Sequence, residues 1–276
     1  MKKAICLYSF HRRYQAEGWD LERYGDEVVA LGIEGADFLG RMMEPIDTAV
    51  ERIEAVLKRT GLILSSLSLS SNFNQPKKED WQAQVTGLGA WLDVAAAVKA
   101  PVCRIFGGHL PSAEKADPAL RAAAWQRMLD GVAAITKEAA KRGLVLAIEN
   151  HGGLPCTGQE QVEVIQAVNS PFLRATIDVG NYMGGGQEGI EGTRIAAPYC
   201  AYVHLKDNVK VPDAATPWGW KVQACTVGEG VVDLPGCMEV LRKAGYDGFV
   251  GLEYEGSEDE ITGVPKSVEC MKRVVR

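Results

Sequence analysis

The amino-acid sequence predicts a single (β/α)8 barrel occupying residues 1–276. Three observations lead there. Short apolar segments alternate with helical segments from one end of the chain to the other, eight of each. The apolar segments are near-continuous hydrophobic runs, as expected of parallel strands covered by helices. No linker, repeat or low-complexity tract interrupts the pattern, and one barrel of this length is ordinary.

Strands are expected at 4–10, 33–39, 62–71, 101–107, 144–150, 173–179, 200–206 and 248–254. Helices are expected between them, at 20–31, 47–60, 79–99, 117–142, 158–168, 188–197, 234–244 and 261–274. The chain starts with a basic pair and an apolar stretch, like a signal peptide. That stretch stops at His11-Arg12-Arg13 with no small-residue cleavage site, so it reads as the first strand. Tyr8-Ser-Phe-His-Arg-Arg then follows where a doubly wound fold would carry a Gly-rich dinucleotide fingerprint. The clearest helix, 117–142, is Ala-rich, opens with Asp117-Pro118 as cap and first turn, and ends at Gly143. Lys-Ala-Gly-Tyr-Asp-Gly at 243–248 stops a helix and turns into the last strand. Gly107-Gly108 and Gly184-Gly185-Gly186 lack a following G-K-S/T and read as backbone freedom in strand-to-helix loops. The longest interruption, 207–233, contains Pro212, Pro217, Trp218-Gly-Trp220 and Gly228-Glu-Gly230. A loop of that length in a compact domain is expected to be a lid or a substrate-pocket wall.

Composition excludes several classes of function. A net charge of −6 disfavours nucleic acid as a partner. No apolar run approaches the ~20 residues of a membrane span. The seven cysteines are odd in number, scattered and free of C-x-x-C spacing, which fits reduced, buried thiols in a cytoplasmic protein. A homo-oligomer is compatible with this composition.

Four segments of the second half carry the chemistry: Leu144-Val-Leu-Ala-Ile-Glu149-Asn-His151, Arg174-Ala-Thr-Ile-Asp178-Val-Gly-Asn181, Ala201-Tyr-Val-His204-Leu-Lys206-Asp and Phe249-Val-Gly-Leu-Glu253-Tyr-Glu255. Each is an apolar run interrupted near its C-terminal end by an acid or an imidazole. A polar group inside such a run is costly without a partner, and barrel enzymes place catalytic groups at those strand ends. Three carboxylates and one imidazole in one place make a hard-cation site. Strand alternation groups Glu149 with Ala147 and His151, Asp178 with Thr176 and Gly180, His204 with Tyr202 and Lys206, and Glu253 with Gly251 and Glu255. The small Ala147 and Gly251, two positions below two of the acids, are expected to leave room for a cation and a polyol. Arg104 and His109 flank the end of the fourth strand as further substrate-binding candidates.

The motifs E-N-H-G at Glu149, D-x-G-N at Asp178, H-x-K-D at His204 and G-x-E at Glu253 resemble the sugar isomerase/epimerase superfamily, whose barrel is xylose-isomerase-like. The likeness spans nearly the whole chain, with its specific motifs in 144–256. The nearest functional patterns are the ketose 3-epimerases and hydroxypyruvate isomerases, and the 26 residues from Asp178 to His204 suit them. That resemblance implies one divalent metal, usually manganese, held by Glu149, Asp178, His204 and Glu253. It also implies that Glu149 and Glu253 act as acid and base on opposite faces of a small sugar or keto-sugar. An O3N donor set suits Mg²⁺ or Co²⁺ too, with Zn²⁺ as a substitute.

One departure stands out. The epimerases commonly carry His three residues after the metal-binding Asp, and this chain has Asn181, which hydrogen-bonds but does not titrate. His151 is the candidate to take over substrate binding or acid-base work, and Lys206 to stabilise an oxyanion. Inosose and dehydroshikimate dehydratases share the same four-ligand pattern, so a lyase is the alternative reading. A zinc-cluster apurinic endonuclease would need more ligands and a basic face. The four His and the acidic balance of the chain oppose it. A non-catalytic carbohydrate-binding relative fits poorly with an intact ligand set. The acidic run Glu255-Gly-Ser-Glu258-Asp-Glu260 is expected to be the solvated start of the last helix. Four acids there argue against a phosphorylated substrate.

Overall fold

Eight parallel strands close into a barrel in the computed structural model, which describes residues 1–276 except the side chains of Ser112 and Ala113. The strands are β1 (Lys2–Cys6), β2 (Gly35–Leu39), β3 (Ile63–Ser68), β4 (Cys103–Phe106), β5 (Leu146–Glu149), β6 (Leu173–Asp178), β7 (Cys200–Leu205) and β8 (Phe249–Leu252). β1 pairs with β2 on one side and β8 on the other, which closes the ring. Helices follow the strands as expected: Leu21–Ala30, Ala49–Thr60, Lys78–Ala97, Pro118–Lys141, Gly158–Val168, Gly189–Ala196, Leu234–Lys243 and Glu260–Val274. The Asp117 carboxylate accepts from the N–H groups of Ala119 and Leu120, so the cap legible in the sequence forms.

The first strand is shorter than expected. Leu7–Phe10 turns into a 3-10 helix and His11–Ala16 adds a helical turn that the sequence pattern does not reveal. The cause is Ser9, whose hydroxyl donates to the Leu252 carbonyl (2.9 Å) and accepts from the Tyr254 N–H (3.0 Å), folding the chain over the end of β8.

Inside the barrel, Ala147 and Gly251 do not make room for a polyol. Tyr202 fills that layer, packed with Val102 and Ala147, and its hydroxyl lies 3.1 Å from Ser65 Oγ. A Cβ at Gly251 would stand 2.5 Å from the Tyr202 hydroxyl. Alternation gives the direction in which a side chain points. It does not say which strand supplies the bulk that its neighbours accommodate.

The 207–233 excursion is an antiparallel hairpin, Asn208–Pro212 against Trp220–Ala224. Asp207 anchors it. Its carboxylate accepts from the N–H groups of Asn208, Gly228, Gly230 and Val232 at 2.9–3.1 Å, so it turns away from Lys206 and does not neutralise it. The acidic run after β8 is only partly solvated. Asp259 caps the last helix through the Ile261 N–H (2.8 Å), but Glu260 is buried and accepts from the N–H groups of Arg12 and Arg13 (3.0 and 2.9 Å). All seven cysteines are free. No helix among the described residues is long and apolar enough to cross a membrane.

Replacing Asp207 with Ala leaves buried N–H groups of the hairpin base without an acceptor, each worth about 1–3 kcal/mol. Urea unfolding of Asp207→Ala is expected to show a loss of about 3 kcal/mol; a loss under about 0.5 kcal/mol, the range of surface substitutions, contradicts the clamp.

Candidate metal centre

The barrel brings one donor from each of four successive strand ends to its C-terminal mouth. Glu149 ends β5, Asp178 ends β6, His204 is next to last in β7, and Glu253 directly follows β8. The strand register sets Asp178 opposite His204 and Gly251 opposite His204 on its other side. The donor atoms of Glu149, Asp178, His204 and Glu253 all lie within 4.8 Å of one another, and all four residues are buried. His204 Nδ1 stands between the two glutamates, 3.5 Å from Glu149 Oε2 and 3.7 Å from Glu253 Oε1.

Four donor atoms here are buried: Glu149 Oε2, Asp178 Oδ2, His204 Nδ1 and Glu253 Oε2. The oxygens meet only the side chains of Arg104, Lys206 and His204, and His204 Nδ1 has only carboxylate oxygens near it. Three oxygens and one nitrogen gathered around a common centre, with three acids against two side-chain cations, are a donor set that suits a divalent cation. The residues present therefore fit a metal ion.

Neighbouring groups aim these atoms. Asp178 Oδ1 accepts from the N–H groups of Gly180 (2.9 Å) and Asn181 (3.0 Å), which turns Oδ2 inward. Asn150 fastens β5 to β6 by donating to the Asp178 carbonyl (2.9 Å) and accepting from the Asp178 N–H (3.0 Å). His204 Nε2 sits 3.2 Å from Asp37 Oδ2, and Ser68 Oγ donates to Asp37 at 2.8 Å. A carboxylate on Nε2 holds the proton there and presents Nδ1 as a bare ligand. Asp37 is absent from the sequence-derived candidates. Its signal is the one that exposed the others, a lone charge within an apolar strand.

Two cations balance the acids. Arg104 Nε lies 3.1 Å from Glu149 Oε2, with its guanidinium 4.1 Å above the Phe106 ring. Lys206 Nζ lies 2.6 Å from Glu253 Oε2, 3.2 Å from Asp178 Oδ2 and 3.3 Å from Glu255 Oε2. Asn181 links both sides, donating to Glu149 Oε1 (3.2 Å) and accepting from Lys206 (3.3 Å). Titration follows this layout. Burial pushes the Asp178 carboxyl up to about 7, against the pull of Lys206. Burial also opposes ionisation of Glu253, but Lys206, His204 and Arg104 hold its carboxyl well below the usual range. Burial works against the charged Lys206, yet Asp178, Glu253 and Glu255 keep its ammonium protonated well above the ordinary value. Burial lowers the pKa of His151.

A cavity of about 390 Å³ opens above this cluster. Arg104 and Glu253 form its inner end, and Tyr8, Arg41, Ser70, His151 and Glu255 line it further out. His151 is stacked on Phe106 at 4.2 Å. Two expectations fail here. His109 is exposed, in a two-residue pairing of Gly108–His109 with Gly153–Leu154, and does not line this cavity. The 207–233 hairpin supplies none of the lining residues either. The loops after β1, β2 and β3 supply Tyr8, Arg41 and Ser70 beside the expected His151 and Glu255, and no strand-end acid marks those three in the sequence.

A family model described as "Xylose isomerase-like TIM barrel" matches residues 22–274. The chain belongs to that family. The inosose dehydratase of Bacillus licheniformis is 25% identical over 260 residues, covering 88% of this chain and 83% of that protein. The barrel is also similar to the 3-keto-D-glucoside 4-epimerase of E. coli, with a TM-score of 0.77, 15% identity and 99% of each chain covered. A xylose isomerase-like TIM barrel protein from Mycobacterium smegmatis in complex with magnesium superimposes with a TM-score of 0.70, at 20% identity over 92% of this chain and 88% of that one. Family membership makes the protein an enzyme of a sugar-modifying family, and the acid and imidazole cluster of this member can hold a metal ion.

Two substitutions separate ligand from support. Asp178→Ala is expected to abolish binding of one divalent ion per chain, as read by metal analysis after dialysis. Asp37→Ala is expected to bind the ion about 10–100-fold more weakly, the usual effect of removing the carboxylate behind a ligating His. Equal metal content and affinity in wild type and both variants would contradict the site.

Proposed function

We propose that this protein is a divalent-metal-dependent enzyme that moves a proton next to the carbonyl of a small, unphosphorylated sugar or keto-sugar, as an epimerase or isomerase. Manganese is the first candidate for the ion, with magnesium, cobalt and zinc as alternatives. The observation that carries the reading is the pair Glu149 and Glu253. Both are buried and flank one imidazole, and Glu253 lines a cavity large enough for one sugar ring, with Glu149 behind Arg104 at its inner end.

A bound divalent cation supplies electrophilic stabilisation of the enediolate that forms when the carbon acid is deprotonated. The protein's own groups do the rest. Glu253 is ionised beside Lys206 and lines the cavity, so it is the group that removes the proton. Glu149 approaches from the opposite side of His204 and returns it. Delivery to the other face of the same carbon epimerises, and delivery to the neighbouring carbon isomerises. His151 and Asn181 hold hydroxyls, and Arg104 holds the inner oxygen. At the inner end of the cavity Lys206 and Arg104 are engaged by carboxylates and Glu255 adds a further acid, which supports a reacting ring without phosphate; Arg41, at the outer rim, has no ion pair among the described residues.

A second reading is favoured by one observation. Lys206 is a buried ammonium 2.6 Å from Glu253. Such a group can protonate a departing β-hydroxyl after Glu253 has taken the α-proton, and the products are then an unsaturated ketone and water. That is dehydratase chemistry, and two inosose dehydratases align with this chain over 83% and 82% of their own lengths.

Glu149→Gln and Glu253→Gln, saturated with Mn²⁺, are expected to stay folded and lose about 10²–10⁴-fold in kcat. Near-normal turnover in either reduces that residue to a ligand. Ketoses, 3-keto-glycosides and inososes incubated in D₂O separate the two fates. Deuterium at carbon with otherwise unchanged composition supports proton transfer alone. Product formed only with loss of water overturns it in favour of the lyase.

A further inference from the structure

The cavity above the cluster has a neighbour. A second cavity, of about 250 Å³, opens beside helix Lys78–Ala97 and shares Arg41 and Ser70 with the first. Its remaining wall mixes apolar side chains, Leu69, Leu88 and Trp91, with polar ones, Glu44 and Gln84. Several of these groups are held in place. The Trp91 indole packs on Gly40, where an added Cβ would come within 3.3 Å of the ring. Gln84 Oε1 accepts from the Asn72 N–H (3.1 Å), which orients the amide and leaves its two donors for a ligand. Arg41 forms no ion pair among the described residues. Its guanidinium lies 4.8 Å from the Tyr8 ring, which is itself stacked on His11 at 4.3 Å. On the helix side the cavity is open, since a Cβ at Gly87 would meet nothing within 4 Å.

A fixed aromatic ring beside amide donors and a carboxylate acceptor matches a sugar ring, which has apolar C–H faces and a hydroxyl edge. The junction with the first cavity carries a cation and a hydroxyl, donors suited to the oxygens of a glycosidic link. We infer that the outer cavity binds a second ring, so that the substrate is a keto-glycoside. Its oxidised ring lies over Glu149 and Glu253, and its other sugar lies beside Trp91. The inference rests on the proton-transfer reading above for the reacting ring, and adds the second site.

The test compares a 3-keto-disaccharide with the matching methyl 3-keto-glucoside on the Mn²⁺-loaded enzyme, with deuterium uptake as the readout. Wild type is expected to favour the disaccharide in kcat/KM by about 10-fold or more, the scale of filling an apolar pocket. Gly87→Leu fills the outer cavity from a helical position that tolerates leucine better than glycine. It is expected to raise KM for the disaccharide about 10-fold while leaving the methyl glycoside and both kcat values unchanged. Trp91→Ala is expected to do the same. Equal effects on both substrates, or none on either, overturn the outer site. If neither compound exchanges deuterium, the proton-transfer reading fails and calorimetry with the unoxidised pair, maltose and methyl glucoside, decides the second site by itself. Tighter binding of maltose that Gly87→Leu abolishes supports it, and equal binding of the two overturns it.

Discussion

The arrangement depends on one constraint: three carboxylates and an imidazole are buried together where water cannot solvate them. Glu149, Asp178 and Glu253 meet at the barrel mouth, with Asp37 behind His204. Left alone, so much negative charge in a low-dielectric space would not remain ionised. Arg104 on one flank and Lys206 on the other relieve it, and a divalent cation would complete the balance. Much of what surrounds the cluster serves that condition. Asn150 joins two strand ends, Asn181 bridges Glu149 and Lys206, and the Asp37 and Ser68 pair fixes the imidazole.

The same constraint explains why the chemistry sits above a solid floor. Tyr202 fills the layer beneath the cluster and excludes water from below. Its ring fits because β5 and β8 offer Ala147 and Gly251 at that height. Access is then from the loops, and those after β1, β2 and β3 make the wall together with His151 and Glu255. The long hairpin after β7 is kept apart by Asp207, whose carboxylate is spent on backbone N–H groups. A side chain next to Lys206 in sequence therefore does not neutralise it, and the ammonium stays within the site.

Under the proposed function, the chemistry at this mouth divides into a shared first step and a fate. Forming a carbanion equivalent next to a carbonyl needs an electrophile and a base, and the cluster is suited to both. The product depends on whether the next proton goes to carbon or to a departing oxygen. In that proposal Glu149 serves the first outcome and Lys206 the second. The two differ by the placement of a substrate hydroxyl relative to Lys206, a matter of ångströms within one cavity.

Much of this was legible in the sequence for a physical reason. A buried acid in a strand violates the apolar pattern around it, so Glu149, Asp178, His204 and Glu253 stood out, and the alternation of strand and helix set the barrel. Caps such as Asp117 and stops such as Gly245 are local and were readable one turn at a time. The folded chain alone decided what depends on partners distant in sequence. Asp37 acquires meaning only from an imidazole 167 residues later. Glu260, read as solvated, is buried by Arg12 and Arg13 from the other end of the chain. His109 faces away because a short pairing with Gly153 holds its backbone outside the mouth. Residue type and periodicity report the cost of burying a group. Which group meets that cost is set by barrel closure, and closure is a property of the whole chain.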